Sequence, residues 1–329
     1  MADVTDAAFR RLIAKYGGPH AMWTEFVSAD GLFSAGHDAV VKDLAYDESE
    51  RPIVAQLFTS KPHVMEKAAA MIQSMGFDGF DINMGCPDRA VEKQGCGAAL
   101  MKDHKLAQEL IAAAKQGAPK LPISVKTRIG YRTNELDAWL PALLEAEPAA
   151  VTFHWRTRSE LSDVPSHWEL AHDAVRIRDD MHAKTLIVGN GDVLSLEDAQ
   201  RKADETGVDG VMVGKGIFGN PWLFSGHVPT VDEKLAVLVE HCRLFEKLVS
   251  HKRFHVMKKH FKAYVQGWDG AKELRMKLME CETADEVERV ISVAMVANGM
   301  ATTRSGALSQ ETQHAIMAPW ITKTNKTNR

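Results

Sequence analysis

Residues 80–88 read Phe-Asp-Ile-Asn-Met-Gly-Cys-Pro-Asp. The run Phe80–Met84 has the look of a short strand, and two residues stop it. Gly85 lets the chain turn, and Pro87 bars continuation as a helix. Cys86 is thereby presented on a short loop at the strand's C-terminal end. Gly95 and Gly97 mark a second bend before the next helix.

The same pattern recurs on both sides of this stretch. Trp23–Val27, Ile53–Phe58, Ile123–Arg128, Val151–Trp155, Leu186–Gly189 and Gly210–Val213 are short apolar runs rich in β-branched residues. Helical periodicity fills the gaps, as in Pro62–Met75, Lys105–Lys115 and Leu196–Glu205. Strands alternating with helices predict an α/β fold with a parallel sheet. Near-continuous apolarity fits strands buried on both faces.

The polar residues narrow the choice. Gln56, Asn83, Cys86, Lys126, Arg128, His154, Arg156, Asn190, Asp192 and Lys215 all fall at or just past strand C-termini. In a TIM (β/α)8 barrel those ends form the active-site face. Such a barrel is therefore expected; a doubly wound open sheet is the alternative. A barrel needs eight strands and the sequence supplies seven. The first strand should precede the helix near Thr5, so it is expected upstream of Met1, missing or truncated. After Pro221, residues from Val231 to about Ala297 read as helices only. The expected division is a barrel over 1–228, an all-helical domain over 229–297 and a mobile tail over 298–329.

Bulk properties exclude several classes. The 329 residues are 45% hydrophobic and 26% charged, enough for a large core without staples. No run suits a transmembrane helix or a signal peptide, so a cytoplasmic protein with no membrane partner is expected. The four cysteines, Cys86, Cys96, Cys242 and Cys281, form no CxxC pair. No metal site and no disulfide framework is expected. The net charge of −4 argues against a polyanionic partner, but it hides a local excess. Between Glu240 and Gly270 seven cations (Arg243, Lys247, Lys252, Arg253, Lys258, Lys259, Lys262) face Glu240, Glu246 and Asp269, with four histidines and several aromatics interleaved. This suggests a polyanion partner; a solvated helix face is the plainer reading.

The individual residues are ambiguous alone. Cys86 is a nucleophile, a general acid or a small buried hydrophobe, and its Gly and Pro neighbours favour function. Cys96 reads as structural. Lys126 is costly to bury in an apolar strand without an anionic partner, unless its head reaches solvent. His154 could be a satisfied core residue, although Arg156 and Arg158 beside it suggest an anion such as phosphate. Glycines in Val188-Gly-Asn-Gly-Asp192 and Val213-Gly-Lys-Gly216 fall on the two closing strands, where barrels often bind phosphate.

Together these motifs resemble the tRNA-dihydrouridine synthase family. The matching stretches are Met1 to Arg10, Asp81 to Pro87, Val125 to Arg128, His154 to Arg158, Gly189 to Asp192 and Gly214 to Trp222. Lys259 to Tyr264 and Glu273-Leu-Arg275 extend the likeness, more weakly, into the helical region. The resemblance implies flavin-dependent reduction of the uracil 5,6 double bond in tRNA, with FMN as cofactor and NADPH as reductant. By position it implies Cys86 as general acid, with Gln56, Lys126 and His154 around the flavin ring. Asn190, Gly191, Asp192, Gly214 and Lys215 would surround its phosphate, and Asn83, Arg128 and Arg158 would hold the uridine or its phosphate. A monomer is expected. Two departures stand out. Trp155 replaces the family's usual Gly, so that it could narrow the pocket or stack on a base, and the family's Ala-Pro before the first Met is absent. The competing functions are an FMN barrel reductase of a free small molecule, such as a dihydroorotate dehydrogenase or an ene-reductase, and a non-catalytic RNA-binding protein.

Overall fold

The structure, a computed structural model, describes residues 1–297; the tail expected over 298–329 lies outside the described residues. Its centre is a seven-stranded sheet: β1 Met22–Ser28, β2 Ile53–Phe58, β3 Gly79–Asn83, β4 Ile123–Arg128, β5 Ala150–His154, β6 Leu186–Asn190 and β7 Gly210–Met212. Each strand pairs in parallel with the next in the chain. A doubly wound sheet reverses its strand order at a switch point. A strictly sequential parallel sheet instead curls one way, as barrel staves do. The barrel-like α/β reading stands and the doubly wound alternative falls. Among the described residues the sheet begins at β1 and ends at β7.

Local chemistry sets the helices. α1, Ala7–Gly17, starts at Asp6, whose carboxylate accepts from the Phe9 amide at 3.0 Å; such a cap satisfies an otherwise orphaned N–H. α2 Pro62–Ser74, α3 His104–Gly117, α4 Leu136–Glu145, α5 Ala171–Asp180 and α6 Leu196–Thr206 follow β2 to β6 in turn. Pro62 opens α2, Asp103 caps α3, and Ser195 caps α6. Gly207 ends α6 at φ 75°, a left-handed cap that suits glycine. Strand residues Ala55, Phe80, Ile82, Val125, Val151 and Phe153 are fully buried.

The described residues after β7 form helices only: α7 Val231–Leu248, α8 Lys258–Tyr264, α9 Ala271–Leu278 and α10 Ala284–Ala297, joined by short turns. Thr230 and Glu233 form a reciprocal capping box that starts α7. This region is fused to the barrel side of the molecule. Phe9 of α1 stacks on His241 of α7 at 5.1 Å between ring centroids. Tyr16 donates to Glu240 at 2.7 Å, and Lys15 pairs with the same carboxylate at 2.6 Å. Phe9, Leu12, Leu238, Phe245 and Phe261 belong to one apolar cluster. Gly219, at φ +67°, lies against Ala263 so closely that a Cβ would sit 2.5 Å from its carbonyl.

The basic stretch looks different in three dimensions. Arg243 pairs with Glu288, Lys258 with Glu282, and Lys259 with Asp3. Lys252 reaches across to Glu25 at 2.8 Å, Asp43 at 3.2 Å and Asp3 at 3.3 Å. His241, His260, Phe261 and Tyr264 are buried. Much of the local positive excess is therefore answered by carboxylates from distant parts of the chain, which a count along the sequence cannot register.

Candidate active site

Parallel register lines the candidate residues up on one face of the sheet. Gln56 stands beside Asp81, Asn83 beside Lys126, and Arg128 beside His154, which stands beside Asn190. In parallel strands, neighbours in register and residues two apart point to the same side. The sheet therefore gathers Gln56, Asn83, Lys126, Arg128, His154 and Asn190.

A buried polar ladder supports the Cys86 loop. Ser124 donates to Asp81 at 2.5 Å, and Gln56 Nε2 donates to the other Asp81 oxygen at 2.7 Å. Asn83 Nδ2 donates to Gln56 Oε1 at 3.2 Å. Asn83 Oδ1 then accepts from the amides of Gly85 at 3.2 Å and Cys86 at 3.0 Å. From the far side, Arg128 Nε donates to the Gly85 carbonyl at 3.0 Å. Arg128 Nη1 is occupied by the carbonyls of Thr157 and Leu161, both at 2.9 Å. Asn83 and Arg128 thus fix the loop that carries the thiol.

Two glycines make this packing possible. A Cβ on Gly85 would lie 3.0 Å from the Thr127 backbone, so its role is close approach to β4. Gly85 is not left-handed; in this loop Gly95, at φ +72°, and Gly97 are. Gly97, at φ +60°, would place a Cβ 2.7 Å from the Cys86 carbonyl. Its neighbour Ala98 donates to that carbonyl at 2.9 Å. Cys86 itself is half-buried, and burial raises its thiol above the ordinary value. It is a protonated thiol at neutral pH, a form that can donate. Cys96 is buried, 3.5 Å from the Gln94 carbonyl.

Across this face, loss of hydration lowers the Lys126 ammonium to about 7, helped by Arg128 and opposed by Asp81. Its Nζ has no hydrogen-bond partner among the described residues. His154 is driven well below its ordinary value by burial and then by Lys126, Arg128 and Arg156. Its imidazole is neutral, with Nε2 3.0 Å from Arg156 Nη1. Asp192, at φ +51°, turns its carboxylate to Arg156 Nη2 at 2.5 Å and to Ser166, with Nη2 and Oγ contacts that hold it well below the usual carboxylate range.

The β6 and β7 loops meet edge to edge. Asn190 Nδ2 donates to the Met212 carbonyl at 2.8 Å, and a Cβ on Gly216 would lie 2.4 Å from the Val193 carbonyl oxygen. Gly191, at φ +123°, backs onto His154 and Ser166. Gly214 leads into one 3-10 turn, Lys215–Ile217, where Lys215 is exposed with no ion-pair partner among the described residues.

Two expected placements differ. Arg158 is engaged by Glu92, with Nε 3.0 Å from both carboxylate oxygens. Trp155 neither narrows the mouth nor faces it. It is fully buried, stacked on Phe153 at 5.4 Å and near Trp168 at 6.0 Å. A Cβ on Gly189 would collide with both indoles, so that glycine accommodates the replacement. Asp81 enters the sequence reading only as part of the motif and Ser124 not at all, yet they form the base of the ladder. Arg156, read there as pointing to an anion such as phosphate, is engaged by His154 and Asp192. A buried Asp two residues before Asn83 was the available signal. Among the described residues no group of three or more His, Cys, Asp or Glu could hold a metal, and no helix is long and apolar enough to cross a membrane.

The curled parallel sheet thus gathers a thiol, a desolvated lysine and a neutral histidine at one end. The chain matches the family described as Dihydrouridine synthase (Dus) over residues 1–317. It is 37% identical over 297 residues to a probable tRNA-dihydrouridine synthase 2 of Bacillus subtilis (strain 168), covering 88% of this chain and 91% of that one. It is likewise 37% identical over 297 residues to a probable tRNA-dihydrouridine synthase of Staphylococcus aureus (strain MRSA252), covering 88% and 90%. Among solved structures, a 2-naphthoyl-CoA reductase in complex with 2-naphthoyl-CoA superposes with a TM-score of 0.52 at 10% identity, covering 68% of this chain and 46% of that one, a likeness of fold. The chain belongs to the dihydrouridine synthase family, and it is an enzyme of the oxidoreductase class.

Proposed function

We propose that the protein reduces the 5,6 double bond of specific uridines in tRNA to 5,6-dihydrouridine, with FMN as cofactor and NADPH as reductant. The observation that carries this reading is the Cys86 thiol, kept protonated by burial and held rigidly between Asn83 and Arg128 beside the lysine face. The donor set fits a flavin. Lys126 Nζ has no partner among the described residues and suits an anionic ring edge, while Gln56 and His154 stand on the same face. Asn190, Gly191, Asp192, Gly214 and Lys215 would hold the phosphate end. Lys215 supplies the charge, and the Asp192 carboxylate contributes by ordering the loop through Arg156 and Ser166.

FMN, when bound, would supply the hydride for C6 of uracil, with NADPH as the source of electrons. The 5,6 double bond is conjugated to a carbonyl, so addition at C6 builds negative charge at C5 and O4. Cys86 Sγ–H would give its proton to C5, leaving a thiolate that solvent reprotonates. A placed acid of this kind contributes roughly 10²–10⁴-fold. Asn83 and Arg128 act mainly by fixing the acid; Arg128 Nη2, without a hydrogen-bond partner among the described residues, remains for the uridine or its phosphate. Reaching the base requires taking it from its stack.

The test is dihydrouridine content, by nuclease digestion and mass spectrometry, after incubating unmodified tRNA with protein, FMN and NADPH. Dihydrouridine above a no-enzyme control is expected. A flavin-loaded protein that consumes NADPH with a free enone, yet leaves tRNA unchanged, would overturn the assignment in favour of a small-molecule reductase. Deleting the helical region is a poor discriminator, because its core is continuous with α1.

A further inference from the structure

We infer that a recess beside the Cys86 loop binds a backbone phosphate of the RNA next to the target uridine. The inference rests on the proposed tRNA substrate and adds where that substrate's backbone is gripped. The recess has a volume of about 250 Å³ and is lined by Arg89, Glu92, Lys93, Ala99, Lys102 and Tyr131. Both of its walls are continuous with the loop of the proposed acid. Asp88 caps the turn Arg89–Glu92 two residues after Cys86, and the turn Gly97–Lys102 is tied to the Cys86 carbonyl through the Ala98 amide at 2.9 Å.

The charge of the recess is positive and uncommitted. Arg89, Lys93 and Lys102 are exposed, with no ion-pair partner among the described residues. The one carboxylate in the lining, Glu92, is taken by Arg158. Lys102 is also pre-positioned: its Nζ lies 3.5 Å from the centroid of the Tyr131 ring, a cation–π contact that holds the ammonium at the rim. Arg158 adds a second cation 5.4 Å from the same ring. In the helical region four of the seven cations, Arg243, Lys252, Lys258 and Lys259, are paired with carboxylates; there the uncommitted charge is spread along the chain, whereas here it surrounds one recess. On a chain of net charge −4, three free cations around one recess form a concentrated anion site.

The occupant is argued from size and position. Small-molecule pockets run to roughly 300–1,000 Å³, so this recess suits a phosphodiester better than a whole dinucleotide. Its lining turns adjoin the Cys86 loop on both sides in the chain, which puts it beside the base that Cys86 would protonate. A phosphate shared by flanking nucleotides would be drawn to Arg89, Lys93 and Lys102 while the base enters the mouth.

The experiment uses the flavin-loaded full chain and an unmodified tRNA transcript, with binding read by fluorescence anisotropy over a range of salt concentrations. The variants are the pair Arg89→Ala/Lys93→Ala, Lys102→Ala, Lys102→Arg and Tyr131→Leu. Each cation removed should weaken binding about three- to tenfold near 0.1 M salt and lower the slope of log K against log salt by about one. Lys102→Arg should retain the wild-type slope. Thermal melting and anaerobic reduction of the flavin by NADPH should not change. Wild-type affinity in the alanine variants would overturn the inference, and so would weaker binding with an unchanged slope. Slower flavin reduction by NADPH with tRNA binding intact would assign the recess to a dinucleotide phosphate instead. Failure of the wild-type chain to bind tRNA would be a separate result, removing the substrate and the subsite together.

Discussion

Arg156 Nη1 lies 3.0 Å from Nε2 of His154, while Nη2 of the same guanidinium lies 2.5 Å from the Asp192 carboxylate. A guanidinium can only donate. Nε2 is therefore the acceptor, and the proton of the neutral imidazole is on Nδ1. One arginine thus sets the tautomer of the histidine and anchors the β6 loop. The expected outcome is a His154 that stays neutral, protonated on Nδ1, from pH 8 to pH 5, seen by long-range proton–nitrogen NMR. In Arg156→Gln its titration should rise somewhat but stay below the ordinary histidine range, because burial, Lys126 and Arg128 still lower it. A wild-type His154 titrating near 6.5 would sink the assignment.

Cys86→Ala should retain its melting temperature, its flavin and its affinity for tRNA, yet form dihydrouridine about 10²–10⁴-fold more slowly. Because burial raises the thiol, the alkaline limb that belongs to Cys86 should lie above the ordinary thiol range, separate from any limb near neutral pH set by Lys126, which burial lowers to about 7. Single-turnover rates across pH measure this. A rate rising with thiolate formation would mark Cys86 as a nucleophile instead.

Asn83→Ala should damage activity and stability together. It strips the acceptor from the Gly85 and Cys86 amides and one partner from Gln56. A buried polar group left unsatisfied costs about 1–3 kcal/mol. Chemical denaturation should show a loss of that order, and single-turnover assays should show a slowed chemical step. Gly97→Ala should disturb the same loop from the other side, since its Cβ would meet the Cys86 carbonyl at 2.7 Å in a left-handed backbone. Full activity in both variants would mean that the loop needs no such support.

The seven strands and the polar residues at their ends were legible because each rests on local signals: an apolar run, a glycine or proline stop, a capping residue. The sequential order, which decides between barrel and doubly wound sheet, comes from the pairing. Asn83, Lys126, Arg128, His154 and Asn190 were legible as residues at strand C-termini; that they share one face follows from the register between strands. What could not be read was commitment. Arg158 looked free in His-Trp-Arg-Thr-Arg, but its partner Glu92 is 66 residues away. Lys252 looked like a surface cation, but its carboxylates come from Asp3, Glu25 and Asp43. Trp155 looked like a pocket residue because it follows His154; alternation along a strand turns it to the other side, under Gly189.

Acid stability should report the join between barrel and helices. His241 and His260 are buried between α1, α7 and α8, their rings 4.5 Å apart. His260 is lowered to about 3 by burial, with Lys259 adding to the effect, and His241 is lowered well below its ordinary value. In the unfolded chain a histidine takes its proton near 6.5. Between those values the unfolded state binds more protons, so stability falls as pH falls, by about 1.4 kcal/mol per unit for each histidine. Asp6 and Asp81 oppose this trend. Burial raises both to about 6, so that protonation favours the fold between about pH 6 and pH 4. The overall profile is therefore a partial cancellation, and a difference is needed to isolate the histidine. His260→Leu removes one titrating group and fills the same space with an apolar side chain. Relative to wild type, it should gain about 2 kcal/mol between pH 7 and pH 5, measured by urea unfolding at both pH values. A constant offset between the two proteins would mean that His260 is protonated within the fold, and that the buried pair is not what sets the acid limit.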